Sequence, residues 1–306
     1  MPVVSIRHLT AYRYRSPVAF GEHRMMLRPL EAHDQRLISA EVDVSPQPAL
    51  HREICDLSGS SVGVVRFAGR SDRLVIESRV RVDHRPEDGF DLEGEDSAIG
   101  RGPFRYAPQD AAELARSLER VQPSEAVDAW AMSFLRPVGR TRLGRLLGDM
   151  SQAIHADFTY TTRLEGPPQT PQVTLETRRG SCRDFAVLMA EAARSLGLAA
   201  KFVSGYIYSS SPKSGPGHRG GGHTHAWVRV YLPGGGWTDF DPTNGLIGGR
   251  DLIRVAVVND PRHALPLHGS WDGLAADFLG MDVEVEIEVE QASAQLPIPL
   301  RVARSA

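Results

Sequence analysis

The stretch that most restricts the fold is RRGSCRDFAVLMAEAARSLG at residues 178–197, which predicts a helix whose first residue is a cysteine. Ser181 stands where an N-cap is expected, and Asp184 follows three residues later, as in a capping box with an acidic third residue. Helical projection places Cys182 and Met189 on one face, so the thiol is predicted to point toward the packing side. The free N–H groups and positive dipole end of a helix start are expected to favour a thiolate there.

Cys182 has two interpretations, because free cysteines are often buried as small apolar side chains. Its position just after Gly180 and Ser181, at a helix start, favours the other interpretation, a reactive nucleophile. The second cysteine, Cys55 in HREICDLSG, lies in a β-rich segment with neither a helix start nor an obvious base. We expect no catalytic role for Cys55, and the wide separation of the two cysteines predicts free thiols.

A base and a group to orient it are found in HTHAWVRVYLPGGGWTDFDPTNG at 223–245. If HAWVRVYL is a strand, His225 lies on the face opposite its apolar side chains. PGGG then closes a hairpin-like turn, and Asp239 and Asp241 share one face of the returning strand. Periodicity does not choose between these two carboxylates. We prefer Asp241 because Pro242 biases it to extended backbone at the end of the strand.

The rest of the chain predicts an α+β fold. Residues 1–85 contain short alternating or apolar runs separated by turn residues, which is typical of antiparallel strands, and 86–107 is acidic, glycine-rich and aperiodic. Helical patterns follow in PQDAAELARSL, PSEAVDAWAMSFL and RLGRLLGDMSQAIHADF. MDVEVEIEVE at 281–290 alternates strictly and predicts an edge-type strand with an acidic outer face. The predicted division is an N-terminal β domain at 1–95, a catalytic core at 96–280, and a C-terminal strand and tail at 281–306.

Composition excludes some classes of partner. The 306 residues include 38 acidic and 35 basic side chains, so a net charge of −3 gives no attraction to nucleic acid or anionic lipid. No stretch approaches the ~20 apolar residues that span a bilayer, and the N-terminus lacks the pattern of a secretory signal. We expect a cytoplasmic protein without a cofactor, and the sequence does not predict its oligomeric state.

Taken together, the three segments resemble the transglutaminase-like superfamily of papain-related thiol enzymes. The matching pieces are RRGSCRDFAVLMAEAARSLGLAAKFVSGY, HAWVRVYL and GWTDFDPTNG, within about 155–246. The resemblance implies a papain-like core of helices packed on an antiparallel sheet, with a catalytic triad of Cys182, His225 and Asp241. HLTAYRYRSPV and LRP more loosely resemble the β region that precedes this core in bacterial members. Relatives often have D..GN where this chain has DLSGSSV, with Ser60 in place of the usual asparagine.

The resemblance also implies a mechanism. Cys182 attacks a carboxamide or peptide carbonyl, His225 acts as base and then as acid, and Asp241 orients His225. Water or an amine resolves the thioester, so the expected substrate is a peptide or protein amide. The oxyanion is expected to meet the backbone N–H of Cys182. By analogy, a side-chain donor from upstream is expected, and Tyr160 in DFTYTT is the candidate. Trp227 lies two residues after His225, on the same side of the predicted strand, and is a candidate for a wall of the cleft.

Two alternatives remain open. A zinc-dependent hydrolase could use His223, His225 and Asp239, because an HxH pair on a strand places two imidazoles on one face. We do not favour a metal site, since the helix start already accounts for a reactive thiol. The other alternative is a non-catalytic binding module on the same scaffold, because a fold can be retained without its chemistry.

Overall fold

The computed structural model describes four stretches of the chain and confirms the α+β fold. The described residues are 2–86, 98–163, 166–209 and 218–290. They form helices and two large antiparallel sheets, of which the N-terminal one is strongly curled. The helices pack beside the second sheet, and together these elements form the core of the molecule.

The N-terminal sheet is organised around its first strand, which is 23 residues long. The strands from this part of the chain are β1 (Val3–Met25), β2 (Gln35–Ser45), β3 (Leu50–Cys55), β4 (Ser61–Arg66) and β5 (Arg70–His84). Their order in the sheet is β2-β5-β1-β4-β3. Every second residue in the first half of β1 is buried, as expected for a strand with one face against a core.

The core begins with helices and short strands and ends in a sheet. Its elements as far as the cysteine helix are β6 (Ala98–Ile99), α1 (Pro108–Leu118), α2 (Glu125–Ser133), β7 (Thr141–Arg142), α3 (Leu143–Asp157), β8 (Thr159–Tyr160), α4 (Pro171–Thr177), β9 (Arg179–Gly180) and α5 (Cys182–Ser195). The strands that follow are β10 (Ala200–Ile207), β11 (His225–Leu232), β12 (Gly236–Asp241), β13 (Leu246–Ile247) and β14 (Leu252–Val258). They form an antiparallel sheet in the order β13-β12-β11-β10-β14. In the described part of the chain, no helix combines the length and apolar character needed to cross a membrane.

Helix α5 is buried on two sides. Phe185 and Met189 pack in an apolar cluster with α2 and α3, whereas Cys182 and Val187 pack in a second cluster that includes residues of the N-terminal sheet. The sequence projection placed Cys182 and Met189 on a single packing face. The structure divides that face between two clusters, because apolar groups surround this helix on both sides.

The chain returns to the N-terminal sheet after the core. Short 3-10 turns at Pro261–His263 and Ala275–Asp277 precede β15 (Leu267–Asp272) and β16 (Phe278–Glu290), and both strands pair antiparallel with β1. The strand predicted at 281–290 is therefore present, with exposed acidic residues on its outer face. Its partner, which the sequence did not reveal, is β1. The predicted boundary between residues 95 and 96 lies outside the described residues, so the division into domains stays a prediction.

Buried polar side chains join the N-terminal sheet to the core. The pairs that cross this interface include Asp34–Arg254, His8–Tyr206 and His84–Tyr208. His8 Nδ1 lies 3.0 Å from the Tyr206 hydroxyl, and His84 Nδ1 lies 2.7 Å from the Tyr208 hydroxyl. Such specific pairs fix the orientation of the two sheets, because each buried polar atom needs its partner.

Candidate active site

Cys182 is the first residue of α5, and Asp184 fixes the turn that precedes it. The Ser181 N–H donates to Asp184 Oδ2 at 2.7 Å, and the Ser181 hydroxyl donates to the same oxygen at 2.9 Å. Gly180 leaves room for this contact, because a Cβ there would lie 2.8 Å from the Asp184 Cβ. The thiol, with 7% of the residue exposed, therefore lies at a helix start whose N–H groups lack intrahelical partners.

Asp184 also holds the segment from Arg163 to Gln169 beside the cysteine. Arg163 Nη2 lies 2.5 Å from Asp184 Oδ1, and the Gln169 N–H donates to the same oxygen at 2.7 Å. Arg183 donates to the Gly166 carbonyl at 2.8 Å and to the Arg163 carbonyl at 2.8 Å. Both guanidinium groups near the thiol are thus bound to groups of the protein itself.

His225 and Asp241 form a buried pair at one end of the core sheet. His225 begins β11 and Asp241 ends β12, and His225 Nε2 lies 2.8 Å from Asp241 Oδ2. Neither side chain is exposed to solvent. Of the two carboxylates that periodicity left open, the structure pairs Asp241 with the imidazole. The other, Asp239, accepts a hydrogen bond from Trp227 Nε1 at 2.8 Å.

His225 and Cys182 line the same cavity. Nδ1 of the His225 ring has no hydrogen-bond partner in the described residues, and Cys182 is near enough to raise the pKa of the ring. Burial favours the neutral ring, but the charge and hydrogen bond of Asp241, followed by the influence of nearby Cys182, raise the pKa of His225 to about 10. Burial opposes ionisation of Asp241, but the charge and hydrogen bond of His225 lower the pKa of that carboxyl. The arrangement favours a charged imidazolium.

A short loop covers His225 and is tied to Asp241 by Asn244. The Asn244 amide donates to Asp241 Oδ2 at 2.8 Å, accepts from the Arg219 N–H at 2.8 Å, and donates to the Arg219 carbonyl at 3.2 Å. Gly220 follows with φ +87°, and a Cβ there would lie 2.7 Å from His225 Nδ1. Sequence reasoning missed both residues. Asn244 lies in the quoted DPTNG motif, but the contact with Arg219 depends on the fold.

Tyr160, the candidate side-chain donor from the sequence, lies near the thiol. The parallel pairing of β8 with β9 puts Tyr160 opposite Gly180, two residues before Cys182, and its side chain lines the same cavity as the thiol. Burial, followed by the nearby charge of Cys182, raises the pKa of Tyr160 to about 12. The hydroxyl therefore keeps its proton at neutral pH and is able to donate a hydrogen bond.

Trp227 lies behind the imidazole. The strand pattern instead suggests that Trp227 forms a wall of the cleft, because it lies on the same face of the strand as His225. Trp227 is completely buried and packs in an apolar cluster with Val203, Ile207 and Leu252. Its ring stacks on His225 with centroids 6.1 Å apart and planes 24° apart. Its indole N–H is bound to Asp239, so Trp227 supports the position of the imidazole from inside the sheet.

The cavity at the thiol has walls from both sheets. Cys182, His225 and Tyr160 line one side, and β1 and β16 line another. The residues from these two strands are His8, Thr10, Tyr12, Met281 and Val283. The N-terminal sheet is therefore part of the site, although no motif in the sequence indicated it.

The residues of the zinc alternative are not brought together. His225 is bound to Asp241, while Asp239 is bound to Trp227 and lies 3.1 Å from Arg229 Nε. Across residues 2–86, 98–163, 166–209 and 218–290, no group of three or more His, Cys, Asp or Glu side chains is placed to hold a metal ion. The geometry gives no support to a His223, His225 and Asp239 site.

Two family models match the two parts of the chain. Residues 147–242 match the core of the transglutaminase-like superfamily, and residues 4–83 match the bacterial transglutaminase-like N-terminal region. The solved structure of a candidate cysteine protease from Cytophaga hutchinsonii superimposes with a TM-score of 0.68 at 17% identity. The superposition covers 97% of this chain and 92% of that one. At this identity the likeness shows the fold alone.

Two curated relatives cover different amounts of the chain. An uncharacterised protein of Mycobacterium tuberculosis is 28% identical over 274 residues, which is 86% of each chain. A protein-glutamine gamma-glutamyltransferase of Pseudomonas aeruginosa is 32% identical over 101 residues, which is 29% of this chain and 14% of that protein. The first similarity spans both sheets, whereas the second is limited to a short part.

Proposed function

We propose that this chain, which belongs to the transglutaminase-like superfamily, is a thiol-dependent acyl-transfer enzyme that acts on carboxamide or peptide bonds. One observation carries the proposal: a fully buried imidazole bonds to Asp241 through Nε2, leaves Nδ1 without another partner in the described residues, and lines the same cavity as Cys182. This is the geometry that a cysteine nucleophile needs, with a base beside it and a third group that orients the base.

In the proposed reaction, His225 takes the proton of Cys182 and the thiolate attacks the amide carbon. The C–S bond forms as the carbonyl electrons move to oxygen, and the backbone N–H of Cys182 and the Tyr160 hydroxyl donate to the oxyanion. The imidazolium then protonates the leaving amine as the C–N bond breaks, which leaves a thioester. A pKa of about 10 for His225 supports a protonated ring at neutral pH, the form that donates the proton to the leaving amine.

The thioester is resolved by water in a protease or amidase, and by a second amine in a transglutaminase. The fold neighbour is named for proteolysis, and the relative from Pseudomonas aeruginosa for glutamyl transfer. We include both outcomes, with a peptide or protein amide as substrate and a cytoplasmic location. Product analysis with and without an added primary amine separates hydrolysis from transfer.

The two cysteines of the chain allow an internally controlled test. Cys55→Ser leaves Cys182 as the single thiol, and Cys182→Ala leaves the exposed Cys55. At pH 6 we expect iodoacetamide to alkylate Cys182 faster than Cys55, although Cys182 is buried, because only Cys182 has an imidazolium partner. An amide-mimicking electrophile should label only the chain that retains Cys182. If Cys182 reacts no faster than Cys55 and takes no probe, the non-catalytic alternative is the better description.

A further inference from the structure

The pair of strands β1 and β16 carries one continuous inner face that begins in the apolar core. Val4 lies opposite Val289, and Ile6 lies opposite Ile287. All four side chains pack in the cluster that contains Cys182. At this end, the face holds the N-terminal sheet against the core.

The same face then continues into the cavity at the thiol. Thr10 lies opposite Val283, and Tyr12 lies opposite Met281. All four line the cavity, and they lie outside the 147–242 segment that matches the transglutaminase-like core. We call this group the β1–β16 wall and define it by these four residues. The wall is apolar apart from two hydroxyl groups, and each of its residues is held in register by the ladder between the two strands.

Apart from the proposed thiolate of Cys182, the described residues of the cavity provide no counter-charge for a cation. Among the described residues that line it, none is an aspartate or a glutamate. The acidic side chains of β16, such as Asp282 and Glu284, alternate with the wall residues and are exposed on the opposite face. Arg163 and Arg183 do line the cavity, but they are bound to Asp184 and to backbone carbonyls. A lysine or arginine side chain would lose its water here without gaining a partner.

We propose that the β1–β16 wall binds the uncharged, apolar side chain next to the reacting carbonyl of the acyl donor and excludes cationic side chains. This inference rests on the proposed thiol chemistry of Cys182. It assigns the N-terminal sheet a direct role in substrate selection. Apolar contact with Met281 and Val283 favours such side chains, and desolvation without a carboxylate disfavours the cationic ones.

Peptidyl chloromethyl ketones test the inference without a known substrate. The thiolate of Cys182 attacks the methylene carbon, so that a C–S bond forms, the C–Cl bond breaks and chloride leaves. Two probes carry leucine or lysine next to the ketone, and the protein carries Cys55→Ser so that Cys182 is the single thiol. Each labelling rate is divided by the iodoacetamide rate of the same variant, which corrects for changes in the thiol itself. We expect the leucine probe to react about tenfold faster or more.

Val283→Glu places a carboxylate in the wall and is expected to reverse the preference toward the lysine probe. Met281→Glu does the same nearer the end of the wall and provides a second variant should the first fail to fold. Glu284→Gln is the matched control, because it changes a charge on the same strand but on the outer face. We expect the control to keep the preference for leucine.

The outcomes separate this inference from the proposed function. Equal normalised rates for the two probes in the Cys55→Ser protein would overturn the role of the wall, as would an unchanged preference in both glutamate variants. If Cys182 shows no enhanced reactivity toward iodoacetamide and no probe labels it, the thiol chemistry itself fails. If the protein prefers the leucine probe and either glutamate variant reverses that preference, the result supports both the role of the wall and the proposed thiol chemistry.

Discussion

Two regions of the molecule contain buried histidines, and the environments of these regions shift the histidine pKa in opposite directions. At the end of the core sheet, His225 pairs with a carboxylate and its pKa is raised to about 10. At the interface between the sheets, His8 and His84 pair with tyrosine hydroxyls, and burial, the largest cause for each, lowers the pKa of both to about 4. All three residues are at most 2% exposed. The charge of the partner, more than the depth of burial, therefore determines whether a histidine here is a charged group or a neutral structural one.

The largest expected effect comes from giving His225 an uncharged partner. Asp241→Asn removes the charge that opposes desolvation, so the pKa of His225 should fall as it does for the interface histidines. We expect alkylation of Cys182 at pH 6, measured in the Cys55→Ser protein, to slow by about a hundredfold or more. Asp239→Asn is the control, because its carboxylate contacts Trp227 and not the imidazole. If Asp241→Asn leaves the pH profile of Cys182 alkylation unchanged, the charge of the partner does not explain the difference between His225 and the interface histidines.

A smaller effect is expected when the space over His225 is filled. Gly220→Ala puts a methyl group 2.7 Å from His225 Nδ1, whereas Gly222→Ala meets nothing within 4 Å. Both glycines have positive φ, +87° and +83°, so both variants carry a similar strain of about 1–2 kcal/mol. We expect similar losses of stability by thermal unfolding. Only Gly220→Ala should also slow alkylation of Cys182, by about tenfold, and equal rates in the two variants would contradict this.

Asn244→Ala tests the same comparison of histidine partners more finely, because it loosens the Asp241 carboxylate without removing it. The variant loses the 2.8 Å hydrogen bond to Asp241 and both contacts with Arg219. We expect a loss of about 1–3 kcal/mol in the free energy of unfolding and a several-fold slower reaction of Cys182. Asn259→Ala is a matched control, since its amide accepts a hydrogen bond from Ser117 away from the imidazole. If both variants react alike, Asn244 has only a structural role.

The last prediction concerns the pH dependence of stability and involves no change in the reactivity of Cys182. The folded-state pKa of His8 and His84 is about 4, below the ordinary 6.5, so the unfolded chain binds more protons between these values. Acidification from pH 6.5 to 4 should therefore lower the free energy of unfolding, by up to about 3 kcal/mol for each histidine. The raised pKa of His225 has the opposite sign: it adds stability below pH 6.5 that is lost as the pH rises toward 10.

Replacing both interface histidines tests this assignment. The double variant His8→Gln and His84→Gln keeps groups that can hydrogen bond to the tyrosines but cannot titrate in this range. Urea unfolding at pH 5 and pH 7 should show a smaller difference for the double variant than for the unmodified chain. If the difference in stability between pH 5 and pH 7 is the same in the two proteins, groups other than His8 and His84 cause the acid sensitivity.

The parts of the site that the sequence predicted are those encoded by local patterns. The start of α5 follows from Ser181 and Asp184, three residues apart, and the facing positions of His225 and Asp241 follow from the parity of a hairpin. Parity did not separate Asp239 from Asp241, because that choice depends on where the indole of Trp227 lies. Local patterns therefore located the elements but not every contact between them.

The parts that the sequence did not predict depend on pairing between distant segments. The alternation at 281–290 showed a strand, but only the fold shows that it lies beside β1 and brings Met281 to the cavity. In the same way, Gly220 and Asn244 are ordinary loop residues in the sequence. Their roles follow from the closure of the hairpin around His225.

The position of β16 in the chain has a consequence for biosynthesis. All the proposed reactive groups, from Cys182 to Asp241, leave the ribosome before β16 does, and β16 must then insert beside β1, which was made before any of them. A nascent chain that has just completed the hairpin has its thiol and imidazole but lacks β16, one strand of the β1–β16 wall. The order of synthesis therefore completes the proposed β1–β16 wall only after the proposed reactive groups have been made.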